Sequence, residues 1–139
     1  MSTRLKEKKE RILEILEKLA EESAKGKPIL VEGKKDVKAL RVLGVTGTIV
    51  TVKTGGKSFL DTVCEVEKMS VPEVILFLDF DRRGREGTKC LKQRLERAKI
   101  KPSTKLWRAL SAVAGKEFQC IEGLTSYLQT LHEKLGVKS

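Results

Sequence analysis

The chain has 139 residues, 40% of them hydrophobic, and carries a formal net charge of +10. That is enough for one domain with a buried core, which excludes an intrinsically disordered chain, and no apolar run approaches the ~20 residues that span a bilayer. Cys64, Cys90 and Cys120 are scattered without a CxxC pair, which excludes a zinc ribbon or a disulfide framework and predicts buried free thiols. The start, MSTRLKEKKERI, is charged where a secretory signal needs an apolar centre, so the expected location is cytoplasmic, with no membrane partner. Asn is absent while Glu and Lys abound, a thermophile-like usage.

From Arg4 to Ala24 the apolar residues Leu5, Ile12, Leu13, Ile15, Leu16, Leu19 and Ala20 recur at three and four, which predicts an amphipathic helix. It can cover the sheet, or it can join two copies of the chain through a near-heptad seam of Leu5, Ile12, Leu16 and Leu19. Gly26 and Pro28 end it. Pro28 to Val31 then reads as a strand closed by Glu32-Gly33, Asp36 to Leu43 as a helix, and Thr48 to Val52 as a β-branched second strand. Thr54-Gly55-Gly56-Lys57-Ser58 lacks the spacing of a phosphate loop and reads as a turn capped by Ser58, leading to a helix on Phe59, Val63, Val66 and Met69.

The run Val74-Ile75-Leu76-Phe77-Leu78 follows, unbroken and apolar, as a strand covered on both faces in a parallel sheet. It ends in Asp79-Phe80-Asp81-Arg82-Arg83-Gly84. If the backbone stays extended that far, Asp79 and Asp81 point the same way, and their mutual repulsion calls for a shared cation. Beyond them the segment 82–101 sets Arg82, Arg83, Arg85, Lys89, Lys92, Arg94, Arg97, Lys99 and Lys101 against Glu86 and Glu96. Glu86 to Lys99 reads as a helix with Leu91, Leu95 and Ala98 inward and a basic outer face. Such a concentration of charge favours a polyanion, and nucleic acid is the expected partner, with Lys34, Arg82, Arg83, Arg85, Lys89 and Lys92 as candidate contacts. Thr104 to Leu110 is expected as a last core strand carrying Trp107, Phe118 to Ile121 as an extended piece, and Glu122 to Leu135 as a closing helix.

Strands alternating with helices predict an α/β three-layer sandwich with a mostly parallel sheet, preceded by the amphipathic helix: residues 1–26 for the helix, 27–139 for the domain. Glu32 closes the first strand, and Asp79 and Asp81 close the third. If those strands are neighbours, one site forms, suited to a hard cation with oxygen ligands: Mg2+, or Mn2+ in its place. His132, the sole histidine, lies far from these acids in sequence.

The pairing of Val31-Glu32-Gly33-Lys34-Lys35-Asp36 with a later Leu78-Asp79-Phe80-Asp81-Arg82-Arg83-Gly84 resembles the Toprim domain, shared by topoisomerases, bacterial primases, certain nucleases and recombination proteins. The resemblance covers about Lys27 to Leu110. It implies a Rossmann-like fold, Glu32 as general acid or base and metal ligand, and Asp79 and Asp81 as Mg2+ ligands. It implies metal-dependent phosphodiester cleavage or phosphoryl transfer; the alternative is a non-catalytic nucleic-acid-binding module that works with a partner protein. The chain departs from primases in having only Glu117, and no Asp, between residues 100 and 119, and it has no four-cysteine zinc module.

Overall fold

A computed structural model describes residues 3–53 and 56–136; Thr54 and Gly55, part of the turn before Ser58, lie outside the described residues. Four strands, β1 (Ile29–Val31), β2 (Ile49–Thr51), β3 (Glu73–Leu76) and β4 (Lys101–Ser103), form a sheet in the order β2-β1-β3-β4, with every pair parallel. Among the described residues six helices surround it: α1 (Thr3–Ala24), α2 (Lys34–Val42), α3 (Phe59–Lys68), α4 (Arg82–Arg97), α5 (Lys105–Ala114) and α6 (Leu124–Lys134).

The alternation of a strand sorts the apolar residues into two cores. Ile29, Val31, Ile75 and Phe77 face a cluster built from Ile12, Ile15, Leu16 and Leu19 of α1, Leu40 of α2, Leu110 of α5 and Leu124 and Leu131 of α6. Leu30, Val74, Leu76 and Leu78 face Val63 and Val66 of α3 and Leu91 and Leu95 of α4. Right-handed crossovers require this division, because the path from β1 to β2 runs opposite to the paths from β2 to β3 and from β3 to β4. The three layers expected from the sequence are thus present. Most of the apolar stripe of α1 is used within the chain: Ile12, Leu16 and Leu19 are buried, and Leu13 remains 45% exposed.

Two expected strand-like elements are corrected. Thr104 to Leu110 is not a strand: α5 occupies 105–114, and the last strand is the three-residue edge β4 just before it. Leu106, Leu110 and Ala114 recur at helical spacing, and a short apolar run around an aromatic does not separate the two states by itself. Pro102, which has no N–H to offer, suits the sheet edge where it lies. Phe118 to Ile121 is a loop entering a 3-10 turn, Ile121–Gly123, rather than an extended piece. The cysteines are free as expected, but Cys64 and Cys120 are exposed. Ser58 caps α3 as expected, accepting from the Asp61 N–H at 3.1 Å while the Asp61 carboxylate accepts from the Ser58 N–H at 3.0 Å.

Candidate functional site

Strand order locates the site. From β1 the chain moves one way, to β2, and from β3 the other way, to β4, so the gap between β1 and β3 is the switch point where open α/β sheets bind ligands beyond their strand ends. Glu32 follows β1 directly. Asp79 follows β3 after Phe77 and Leu78, whose side chains are fully buried. Phe77 N–H still donates to the Leu30 carbonyl at 2.8 Å, so the two chain segments remain side by side as they leave the sheet.

The backbone bends at Phe80 and Asp81, although Asp81 itself keeps extended dihedrals (φ −73°, ψ 177°). Asp81 is the N-cap of α4, its carboxylate accepting from the Gly84 N–H at 2.7 Å. The helix start takes one carboxylate oxygen, Oδ1, as its side-chain acceptor and leaves Oδ2 out of the cap. Gly84 is required there. A Cβ on it would lie 2.0 Å from the Asp79 carbonyl oxygen, so the first turn of α4 can close on the acidic loop only without a side chain. The Leu78 carbonyl, left over at the strand end, accepts from the Trp107 indole N–H at 2.7 Å, and Trp107 stacks on Phe80 with ring centroids 5.8 Å apart.

Glu32 and Asp79 line one open cleft of about 310 Å³, together with Lys34, Asp36, Lys53 and Glu122. Asp79 accepts from the Ile121 N–H at 3.1 Å. Burial lifts its carboxyl to about 6 against that hydrogen bond, and the charges of Asp36, Glu32 and Asp81 push the same way as burial. Asp36 is buried and accepts from the Gly33 N–H at 2.9 Å; burial raises its carboxyl as well, with Glu122 and Glu32 adding to the effect. Glu32 has one oxygen, Oε1, at 2.7 Å from Lys53 Nζ, and the other, Oε2, buried without a hydrogen-bond partner. Burial, then the neighbouring acids, raises the Cys120 thiol, so it is not a poised thiolate.

These residues fit a divalent cation. A buried carboxylate oxygen without a donor and a neighbouring carboxyl pushed up by burial and by other acids both gain from positive charge placed between them. All the donors are oxygens, which selects a hard ion, and Mg2+ binds through one or two carboxylates while keeping several waters. Among the described residues no three His, Cys, Asp or Glu side chains are gathered tightly enough to form a finished cage. The site is an acidic cleft that a cation and its waters would complete.

Of the residues expected to touch nucleic acid, Lys34 lines this cleft, and Arg83 lines an adjoining cavity that also contains Glu32 and Lys53. Arg82 pairs with Glu86 at 3.1 Å, and Arg85 and Lys89 are exposed on α4, with Lys92 half-buried. Sequence reasoning missed Asp36, Lys53 and Glu122. Glu122 and Lys53 reach the cleft only through the fold, whereas the Gly33–Asp36 spacing held a usable signal, a carboxylate able to close the first turn of α2.

The absence of charge on Asp79 at low pH gives a stability test. Its folded pKa lies above the unfolded value near 3.8, so the folded state holds the proton more tightly, and stability falls as pH rises from about 4 to about 6. Metal-free Asp79→Asn, which keeps the acceptor for Ile121, is expected to match the wild type at pH 4 and exceed it by about 1 kcal/mol at pH 7.5, after allowance for solvent screening. Urea denaturation at the two pH values checks this; equal stability at pH 7.5 would contradict it.

The acidic switch point on an all-parallel sheet, with a basic helix starting beside it, agrees with what comparison with known proteins finds. Residues 26–104 match the Toprim domain, and the chain belongs to that family. It is 41% identical over 120 residues to UPF0292 protein MJ1624 of Methanocaldococcus jannaschii, covering 86% of this chain and 91% of that one. A UPF0292 protein of Methanosarcina acetivorans is 34% identical over 92% of this chain and 87% of its own. Among solved structures, a putative protein from Aquifex aeolicus superposes with a TM-score of 0.65 at 26% identity, covering 78% of this chain and 94% of that one. Among the described residues no helix is long and apolar enough to cross a membrane.

Proposed function

We propose that this Toprim protein acts on nucleic acid, using a divalent cation, Mg2+ or Mn2+, for phosphodiester cleavage or phosphoryl transfer. The observation that carries the reading is the pairing of Glu32, with its unpartnered buried oxygen, and Asp79, with its raised carboxyl, in one cleft at the β1/β3 switch point. Glu32 and Asp79 would hold the cation, with Asp81 contributing charge from the helix cap. A bound divalent cation supplies charge stabilisation at a phosphoryl oxygen and alignment of the phosphate. Glu32 would also move the proton, a role supported by its place directly after β1, where its carbonyl still accepts from the Lys53 N–H at 3.2 Å. Lys34 and the outer face of α4 would neutralise the backbone of the substrate. A non-catalytic binding module is the second reading, favoured by the lack of a tightly gathered group of three acids among the described residues.

A screen of labelled RNA and DNA oligonucleotides with Mg2+, Mn2+ or a chelator tests the proposal. Cleavage that needs the cation is the expected result. Binding is expected to weaken with salt at a slope of roughly −0.7 per neutralised phosphate for single strands or −0.9 for duplex, and Arg85→Ala with Lys89→Ala should flatten the slope by one to two units. Binding without cleavage selects the second reading; no binding at low salt removes both.

A further inference from the structure

Lys53 lies where two cavities meet. One is the acidic cleft with Asp79 and Lys34; the other, of about 340 Å³, is bounded by Phe59, Arg83 and Gly87; Glu32 and Lys53 belong to both. The parallel ladder puts Lys53 there: the Val52 N–H donates to the Val31 carbonyl at 2.9 Å, and the Lys53 N–H to the Glu32 carbonyl at 3.2 Å. Its backbone is therefore fixed beside Glu32, while its side chain is 43% exposed and borders both cavities. Its ammonium holds Glu32 Oε1 at 2.7 Å, the partner oxygen of the one left without a donor.

We propose that Lys53 is a phosphate-binding residue held in reserve by Glu32, released to a substrate phosphate in the Arg83 cavity when Glu32 turns to a divalent cation. The inference rests on the proposed function for its phosphate and on the ion pair alone for its competition. An ammonium and a divalent cation at one carboxylate oxygen repel each other, so the pair opposes cation binding. Once free, Lys53 shares that cavity with Arg83, and a phosphate gains from two such charges. Phe59 gives the same cavity an apolar wall, and its ring lies so close to α4 that a Cβ on Gly87 would come within 3.2 Å of it. A nucleotide has both parts, a phosphate for the cations and a flat ring for that wall.

The prediction is a pair of effects in opposite directions. Mn2+ titration of the full chain by calorimetry should show Lys53→Met binding the ion about two- to tenfold more tightly than the wild type, because a competing charge has gone. At saturating Mn2+, the same variant should bind a labelled oligonucleotide several-fold more weakly, with a salt slope flatter by roughly 0.7 to 0.9, and Lys53→Arg should restore the slope. Unchanged or weaker Mn2+ affinity in Lys53→Met overturns the inference whatever the protein does with nucleic acid. Tighter Mn2+ binding with undiminished oligonucleotide affinity overturns the phosphate role. If the wild type binds no oligonucleotide, the proposed function fails and takes the phosphate role with it, a result told apart by the wild-type control.

Discussion

Replacing Glu32 by glutamine is expected to reduce metal-dependent cleavage by about 10²- to 10⁴-fold, the range a positioned acid or base contributes. Gln has nearly the shape of Glu and keeps an acceptor oxygen, but it cannot carry the proton and no longer neutralises Lys53. Asp79→Asn should behave differently. Its main loss is cation affinity, so raising Mg2+ should recover part of its rate, whereas Glu32→Gln stays slow at saturating Mg2+. Single-turnover rates across a Mg2+ series separate the two, and equal rates for wild type and Glu32→Gln at saturation would remove Glu32 from the proton-transferring role.

Gly84→Ala is expected to be the most damaging small substitution in the chain. The added methyl would meet the Asp79 carbonyl oxygen at 2.0 Å and its carbonyl carbon at 2.6 Å, both backbone atoms that cannot turn aside. Overpacking against side chains costs about 1–3 kcal/mol, and here relief requires moving the acidic loop or unwinding the first turn of α4, so the loss should reach or pass the top of that range. Two hydrogen bonds share the strain: the Gly84 N–H to Asp81 at 2.7 Å and the Thr88 hydroxyl to the Gly84 carbonyl at 2.7 Å. Urea denaturation followed by circular dichroism measures the effect. A loss under 1 kcal/mol would mean the loop tolerates the shift and that the close contact is not what fixes Asp79.

Much of this was legible before the fold was known, and the reasons are physical. Strands covered on both faces read as unbroken apolar runs, which is why Ile29 to Val31 and Val74 to Leu76 were placed, together with the acids at their ends. Helix α1 announced itself because a helix packed on one side must repeat at three and four. The segment around Trp107 did not, since a seven-residue window of mixed apolar and polar residues fits either period. The site was legible only in part. Glu32 and Asp79 are legible as strand-end acids that share one cleft, and the second role of Asp81, as the N-cap of α4, is not. Lys53 stayed hidden because its position depends on strand register, which joins residues 21 apart in sequence, and Glu122 arrives from a segment that the sheet does not predict at all.

Trp107 is the only tryptophan in the chain, and its indole N–H is bonded to the carbonyl of Leu78, the residue before Asp79. Its emission therefore comes from within the shell that supports the acidic loop, stacked on Phe80 and away from any other indole. Excitation at the red edge of the ultraviolet band, where Tyr127 does not absorb, selects one fluorophore at one place. A shift of the loop that stretches this hydrogen bond changes the polarity seen by the excited indole, so the fold carries its own optical probe of the switch point.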